Sequence, residues 1–230
     1  QRVLEGMEEG GNVRPNAVCF DGAIGAWARA GRPEEAEALL RKMEQTARPR
    51  AKTYNMVVNA WAVGRGRGAA ENARRVLAEM RAPGALARPT AATFNSVLKA
   101  CCAAAADDTS AEERAALFRT AVDTYVDLES HPGFGRPDSI TYSSMLNACI
   151  VLLPSGRRRN DMVKFYFDEC CRRGLLNNVS LRIVKKMGED ARHVLKTDGG
   201  GLEELAVEDL PKSWSCNSNW SGPSDNRKLR

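Results

Sequence analysis

The chain has 230 residues, 43% of them hydrophobic and 27% charged, with aromatics held to 6%. That composition is enough to fold, and its abundance of alanine, the strongest helix former, favours closely packed helices over a β-rich core. The formal net charge is +5, from 34 basic and 29 acidic residues. This balance is mildly basic, so it permits nucleic-acid binding without requiring it.

Seven cysteines are present, none in a C-x-x-C pair, so zinc-ribbon spacing is absent. Two adjacent pairs, Cys101-Cys102 and Cys170-Cys171, lie in apolar helical runs and read as core. The odd count fits a reducing compartment better than secretion. No apolar run reaches the roughly 18 residues of a membrane-spanning helix, so a membrane is not an expected partner. No targeting segment is visible.

In chain order, residues 1–16 read as the end of a preceding repeat. They carry Val3, Leu4 and Met7 in helical spacing. An Arg-Pro pair then recurs four times, followed five residues after the Pro by an aromatic and six further on by alanine. The instances are Pro15–Phe20–Ala26, Pro49–Tyr54–Ala60, Pro89–Phe94–Ala100 and Pro137–Tyr142–Ala148. Between them runs a second pattern, at i, i+3, i+4 and i+7, the spacing of one helical face. It is clearest as Ala36–Leu39–Leu40–Met43 and Ala73–Val76–Leu77–Met80, and weaker as Ala121–Thr124–Tyr125–Leu128 and Val163–Tyr166–Phe167–Cys170.

Each unit therefore reads as a first helix, a turn, a second helix and a proline-bearing turn. The first helix of the opening unit is predicted over 18–30, ended by Gly31. Pro33 then starts the second. The four units are 17–50, 51–90, 91–138 and 139–178. Their prolines are 34, 40 and 48 residues apart, with the excess placed in turns or in a longer second helix. Gly64 to Gly68 and Ala103 to Thr109 loosen two inner turns, and Ser110 with Glu113 reads as a capping box. Residues 179–198 read as a capping helix. Residues 199–230 read as a polar, disordered tail in which Trp214 and Trp220 are candidates to dock. The predicted fold is all-α, an α-α superhelix of helix-turn-helix repeats.

The runs Lys52-Thr-Tyr-Asn-Met-Val-Val-Asn-Ala60, Ala92-Thr-Phe-Asn-Ser-Val-Leu-Lys-Ala100 and Ile140-Thr-Tyr-Ser-Ser-Met-Leu-Asn-Ala148 resemble the opening of the pentatricopeptide repeat (PPR). Gly31 to Met43 resembles its second half, and Pro137-Asp138 its closing turn. The resemblance spans about residues 1–178. Tetratricopeptide repeats share the period, but their Trp–Leu-Gly–Tyr first helix is absent.

The resemblance implies binding of single-stranded RNA, one base per repeat, read by two or three side chains. One reader follows the first-helix aromatic and the other follows the closing proline. That implies the pairs Asp21 with Arg50, Asn55 with Thr90, Asn95 with Asp138, and Ser143 with Asn178. In the last pair, Asn177 replaces the expected proline. Val18, Lys52, Ala92 and Ile140 are implied to pack against base faces.

By the same resemblance, Asn95/Asp138 prefers uracil, Ser143/Asn178 adenine and Asn55/Thr90 a pyrimidine, while Asp21/Arg50 departs from the family's pairs and is open to forming a salt bridge instead. The alternative reading of these polar residues is ordinary helix capping.

The resemblance also implies work in mitochondria or plastids on RNA processing, stability or translation. No P-loop, zinc-helix spacing or deaminase signature is present, so no cofactor or metal is expected. The expectation is a non-catalytic protein, with any catalytic domain outside this chain. The alternatives are a protein-interaction scaffold, such as a subunit of an organellar ribosome or RNA-processing complex, and the RNA-binding part of a larger enzyme.

Overall fold

A computed structural model describes residues 15–64, 68–106, 108–195 and 205–217, apart from the side chain of His193. The helix end read at residues 1–14, most of the Gly64–Gly68 loop, and Trp220 with most of the polar tail lie outside the described residues. Among the described residues there are ten α-helices, three short 3-10 turns and no strand, so the chain is all-α. It divides into two compact units, one ending at Arg136 and one beginning at Pro137.

The first unit holds α1 (Ala17–Arg29), α2 (Pro33–Thr46), α3 (Ala51–Gly64), α4 (Ala69–Arg81), α5 (Ala91–Ala103) and α6 (Ala111–Ser130). Asn16 caps α1, its side chain accepting from the Val18 and Cys19 amides at 3.0 and 3.1 Å. Gly31, at φ +66°, ends that helix. Its N–H reaches the Ala28 carbonyl and the Arg32 N–H reaches that of Trp27. This pairing of the last orphan carbonyls needs a left-handed residue, which glycine adopts without a Cβ penalty. Pro33 then opens α2, in a first turn where its missing N–H costs nothing.

Helix α1 packs on α2 and α3, α3 on α4 and α5, and α5 on α6, while α2 also meets α3 and α4 meets α5. Successive first helices thus lie against one another, and each second helix touches the next first helix. Phe20, Tyr54 and Phe94 are buried between them, as are Ala60 and Ala100. Ala26, the matching alanine of α1, is exposed. Helices α3 and α5 each have a preceding first helix to pack against, and α1 has none among the described residues.

The second pattern is the buried stripe of α2, α4 and α6: Leu39, Leu40 and Met43, then Val76, Leu77 and Met80, then Ala121, Thr124, Tyr125 and Leu128. The wide spacing before Pro137 is explained by α6, which is 20 residues long against 14 in α2 and 13 in α4. Its start carries the expected box: the Glu113 amide donates to Ser110 Oγ at 3.1 Å, and the Ser110 amide to Glu113 Oε2 at 2.9 Å. A 3-10 turn, Pro132–Phe134, follows α6 and stacks Phe134 on Phe94.

An ionic hub centred on the largely covered Glu37 ties α2 to α3 and α4. Glu37 accepts from Arg41 at 2.9 Å, from Arg75 at 2.7 Å and from the Trp61 indole at 3.0 Å. Glu79 accepts from Arg41 and Arg75 in turn, and Tyr54 donates to Glu44 at 2.7 Å. Burial pushes the Glu37 carboxyl up, but hydrogen bonds from Arg75, Trp61 and Arg41 outweigh it and hold the group below its ordinary value.

The second unit holds α7 (Ser139–Leu152), α8 (Arg157–Arg172), α9 (Asn178–Lys185) and α10 (Asp190–Leu195). Tyr142, Met145, Leu146 and Ala148 of α7 pack with Val163, Tyr166, Phe167 and Cys170 of α8 as one buried set. The stretch 179–198, expected as a single capping helix, is two: Gly188, at φ +61°, turns the chain between α9 and α10.

Part of the expected polar tail is folded. Residues 207–209 and 212–214 form 3-10 turns, Trp214 packs edge-on against Phe167, and the Leu176 amide donates to the Trp214 carbonyl at 2.8 Å. Asn217 donates from its backbone to the Gly174 carbonyl and from its side chain to that of Arg173. A large aromatic side chain and satisfied backbone groups offset the ordering cost that polar composition alone suggests is prohibitive.

Candidate nucleic-acid interface

Helices α1, α3, α5 and α7 begin two residues after Pro15, Pro49, Pro89 and Pro137. Helix α9 begins one residue after Asn177, its N-cap, so Leu176 and not Asn177 holds the proline's place there. Pro49, Pro89 and Pro137 are all buried. Proline cannot continue the previous helix, and its burial sets where the next one starts. This places Asp21, Asn55, Asn95 and Ser143 at the fifth helical position of α1, α3, α5 and α7. They are therefore interior to the helices and are not N-caps. Val18, Lys52, Ala92 and Ile140 take the second position, on the same face one turn earlier.

All four second-position residues are exposed. Val18 is 71% and Ile140 60% accessible, the two largest values among the exposed large hydrophobics. Val179, at the second position of α9, is 41% accessible. It was not anticipated, because the aromatic that marks this register elsewhere is Leu181 here. Counting back two residues from that buried leucine would have found it.

The readers differ in what their polar atoms already do. In the first pair, Arg50 donates to Asp21 Oδ2 at 3.1 Å, and Thr53 Oγ1 donates to Oδ1 at 2.7 Å. Both carboxylate oxygens are engaged. In the second, Asn55 Nδ2 approaches Thr90 Oγ1 at 3.4 Å, and Thr93 Oγ1 donates to Asn55 Oδ1 at 2.5 Å.

Asn95 is in the first unit and is buried, at 7% accessible. Asp138 begins the second unit and caps α7: Oδ1 accepts from the Thr141 amide at 2.8 Å, and the Asp138 amide donates to Thr141 Oγ1 at 3.1 Å. The capping alternative thus describes Asp138 and does not describe Asn55 or Asn95. Ser143 is buried, its hydroxyl 2.8 Å from both the Ser139 carbonyl and Ser180 Oγ. Its bond runs to Ser180 and not to Asn178. Asn178 lines a cavity of about 320 Å³ with Leu176, Val207, Glu208 and Lys212.

In the second unit Arg159 pairs with Asp190 at 3.1 Å, and both Arg172 and Arg173 pair with Glu169. Lys99 on α5 donates to Asn59 of α3 at 3.2 Å, which puts one cation beside the reading positions. Among the described residues no three His, Cys, Asp or Glu side chains converge on a possible metal position. Burial pushes the Cys101 and Cys170 thiols up to about 12, so neither is a nucleophile at neutral pH. His131 donates from Nδ1 to the Asp127 carbonyl at 2.8 Å and stacks on Phe134 in the turn.

No protein-family model matches the sequence, and no curated protein matches it significantly.

Proposed function

We propose that this chain is a non-catalytic single-stranded RNA-binding protein of the pentatricopeptide-repeat kind, its helix pairs forming units of an α-α superhelix. One observation carries the reading. Four first helices present an exposed side chain at their second position and a polar side chain at their fifth, beside the same buried aromatic. Core packing gives no reason to expose Val18 and Ile140 on that face. A platform for bases does, because apolar side chains stack on base faces while an amide meets a base edge.

By its resemblance the protein works in a mitochondrion or plastid, on transcript processing, stability or translation, and any catalytic part lies outside this chain. Four units offer about four reading positions, and with the first silent because its carboxylate is occupied about three bases are read. Binding of the isolated chain is therefore weak.

A second reading has its own support. Asp21 is fully engaged and Ser143 is buried, and a protein-interaction scaffold would not need them free. Fluorescence titration with single- and double-stranded RNA separates the two. Preference for the single strand is expected, since bases must be unstacked to be read. Equal affinity for both forms, or recovery of protein partners alone from the native compartment, refutes the RNA reading.

A further inference from the structure

Three of the four fifth-position side chains share one feature that no helix-local rule requires. Asp21, Asn55 and Ser143 are each tied to the hydroxyl at the third position of the following first helix. Thr53 meets Asp21 at 2.7 Å, Thr93 meets Asn55 at 2.5 Å, and Ser180 meets Ser143 at 2.8 Å. All three hydroxyl-bearing residues are fully buried.

The direction of these bonds follows from proton bookkeeping. An ionised carboxylate only accepts, so Thr53 donates to Asp21. Ser143 places its single proton on the Ser139 carbonyl at 2.8 Å, so Ser180 donates to Ser143. Thr93 accepts the Thr90 amide at 3.0 Å, as Thr53 accepts the Arg50 amide at 3.3 Å. Of the two acceptors its own proton can reach, Asn55 Oδ1 at 2.5 Å is far closer than Thr90 Oγ1 at 3.5 Å, so the proton points at Asn55, the orientation its two counterparts share.

This fixes an amide that is otherwise free to flip. With Oδ1 held by Thr93, Asn55 turns its NH2 group toward the half-exposed side, where Nδ2 gives one proton to Thr90 Oγ1 over a long 3.4 Å and keeps the other unclaimed. The other two occupied readers have nothing comparable to offer: Asp21 has spent both oxygens, and the Ser143 hydroxyl has both given and received.

We propose that Thr93 is a positioning residue that makes Asn55 a hydrogen-bond donor, so that this unit selects its base through an acceptor on the base edge, such as a pyrimidine carbonyl. The proposal rests on the RNA reading above and goes beyond it. It assigns the chemistry presented by one unit, and the residue that sets it, to a side chain belonging to the next unit.

The test is a binding scan with a short uridine-containing single-stranded RNA. At each position in turn, uridine is replaced by its difluorotoluene isostere, which keeps the stacking shape but accepts hydrogen bonds poorly. The wild-type chain is expected to lose about 5-fold in affinity at one position, the size of one net neutral hydrogen bond. Thr93→Val, nearly isosteric, should erase that loss, and Thr93→Ser should restore it. Thr124→Val serves as the structural control. It removes a buried hydroxyl of α6 that donates to the Thr120 carbonyl at 2.6 Å and touches no reader, so it should lower the melting temperature while leaving the scan unchanged.

A scan that survives Thr93→Val, or that Thr93→Ser fails to restore, overturns the positioning role and leaves the RNA reading standing. A wild-type chain with no affinity for single-stranded RNA, or a flat wild-type scan, overturns the proposal at its base.

Discussion

Glu37→Ala should destabilise the first unit more than any other single change in its surface ion pairs. The Glu37 side chain is 13% accessible, and it accepts from Arg41, Arg75 and the Trp61 indole. Truncation leaves the nearly buried Trp61 N–H without its acceptor, a cost of about 1–3 kcal/mol. Arg41 and Arg75 are 36% and 44% accessible and keep Glu79, so each lost ion pair contributes only about 0–1 kcal/mol after solvent screening.

The expected total is about 1–5 kcal/mol, read by urea denaturation at pH 7. Glu37→Gln keeps an acceptor for Trp61 and should cost about 1 kcal/mol, the charge component alone. The folded-state carboxyl is held below its ordinary value of 4.5. Its contribution is therefore complete above that pH and is lost as pH falls through the lower, folded value. Wild-type stability should fall toward that of Glu37→Gln in this acid range. Equal losses for Ala and Gln at pH 7, or a Glu37→Gln gap that does not narrow in acid, would refute the reasoning.

The two helix-ending glycines should respond unequally. Gly31→Ala meets nothing closer than 3.9 Å and should cost only the left-handed backbone penalty of about 1–2 kcal/mol. At Gly174, φ +68°, an added Cβ would lie 2.6 Å from Cys216 Sγ and 3.1 Å from the Ser213 carbonyl, so Gly174→Ala should also displace residues 205–217, seen as a change in Trp214 fluorescence. Among the thiols, exposed Cys216 should react first with a disulfide reagent at pH 8, and Cys101 and Cys170, pushed up to about 12 by burial, only on unfolding. Affinity for single-stranded RNA should fall with salt at a slope of about −0.7 per neutralised phosphate, and a shallow slope is expected because so few units make few phosphate contacts and Arg159, Arg172 and Arg173 are already paired.

The helix starts were legible because proline acts locally. Pro33, Pro49, Pro89 and Pro137 each forbid continuation of the helix before them, and the aromatic five residues after the turn proline marks the buried face. The break at Gly188 was not legible, since a lone glycine inside a helical pattern is often tolerated. The docking of Trp214 depends on Phe167 and Leu176, which no periodicity connects to it.

In the candidate site, the fifth-position register could be read from the Thr-aromatic-Asn run. What those side chains bond to could not. The Thr53–Asp21 and Thr93–Asn55 bonds join residues 32 and 38 apart, and they exist only because successive first helices pack together. The burial of Ser143 has the same origin, through Ser180.

The central claim is that the first-helix face carrying exposed second-position and polar fifth-position side chains holds RNA. Ultraviolet crosslinking of the chain to single-stranded RNA, followed by mapping of the modified residues, tests it directly. The account predicts crosslinks in α1, α3, α5 and α7, centred on Val18, Lys52, Asn55 and Ile140. Crosslinks confined to α2, α4, α6 and α8, or none above a denatured control, would contradict it.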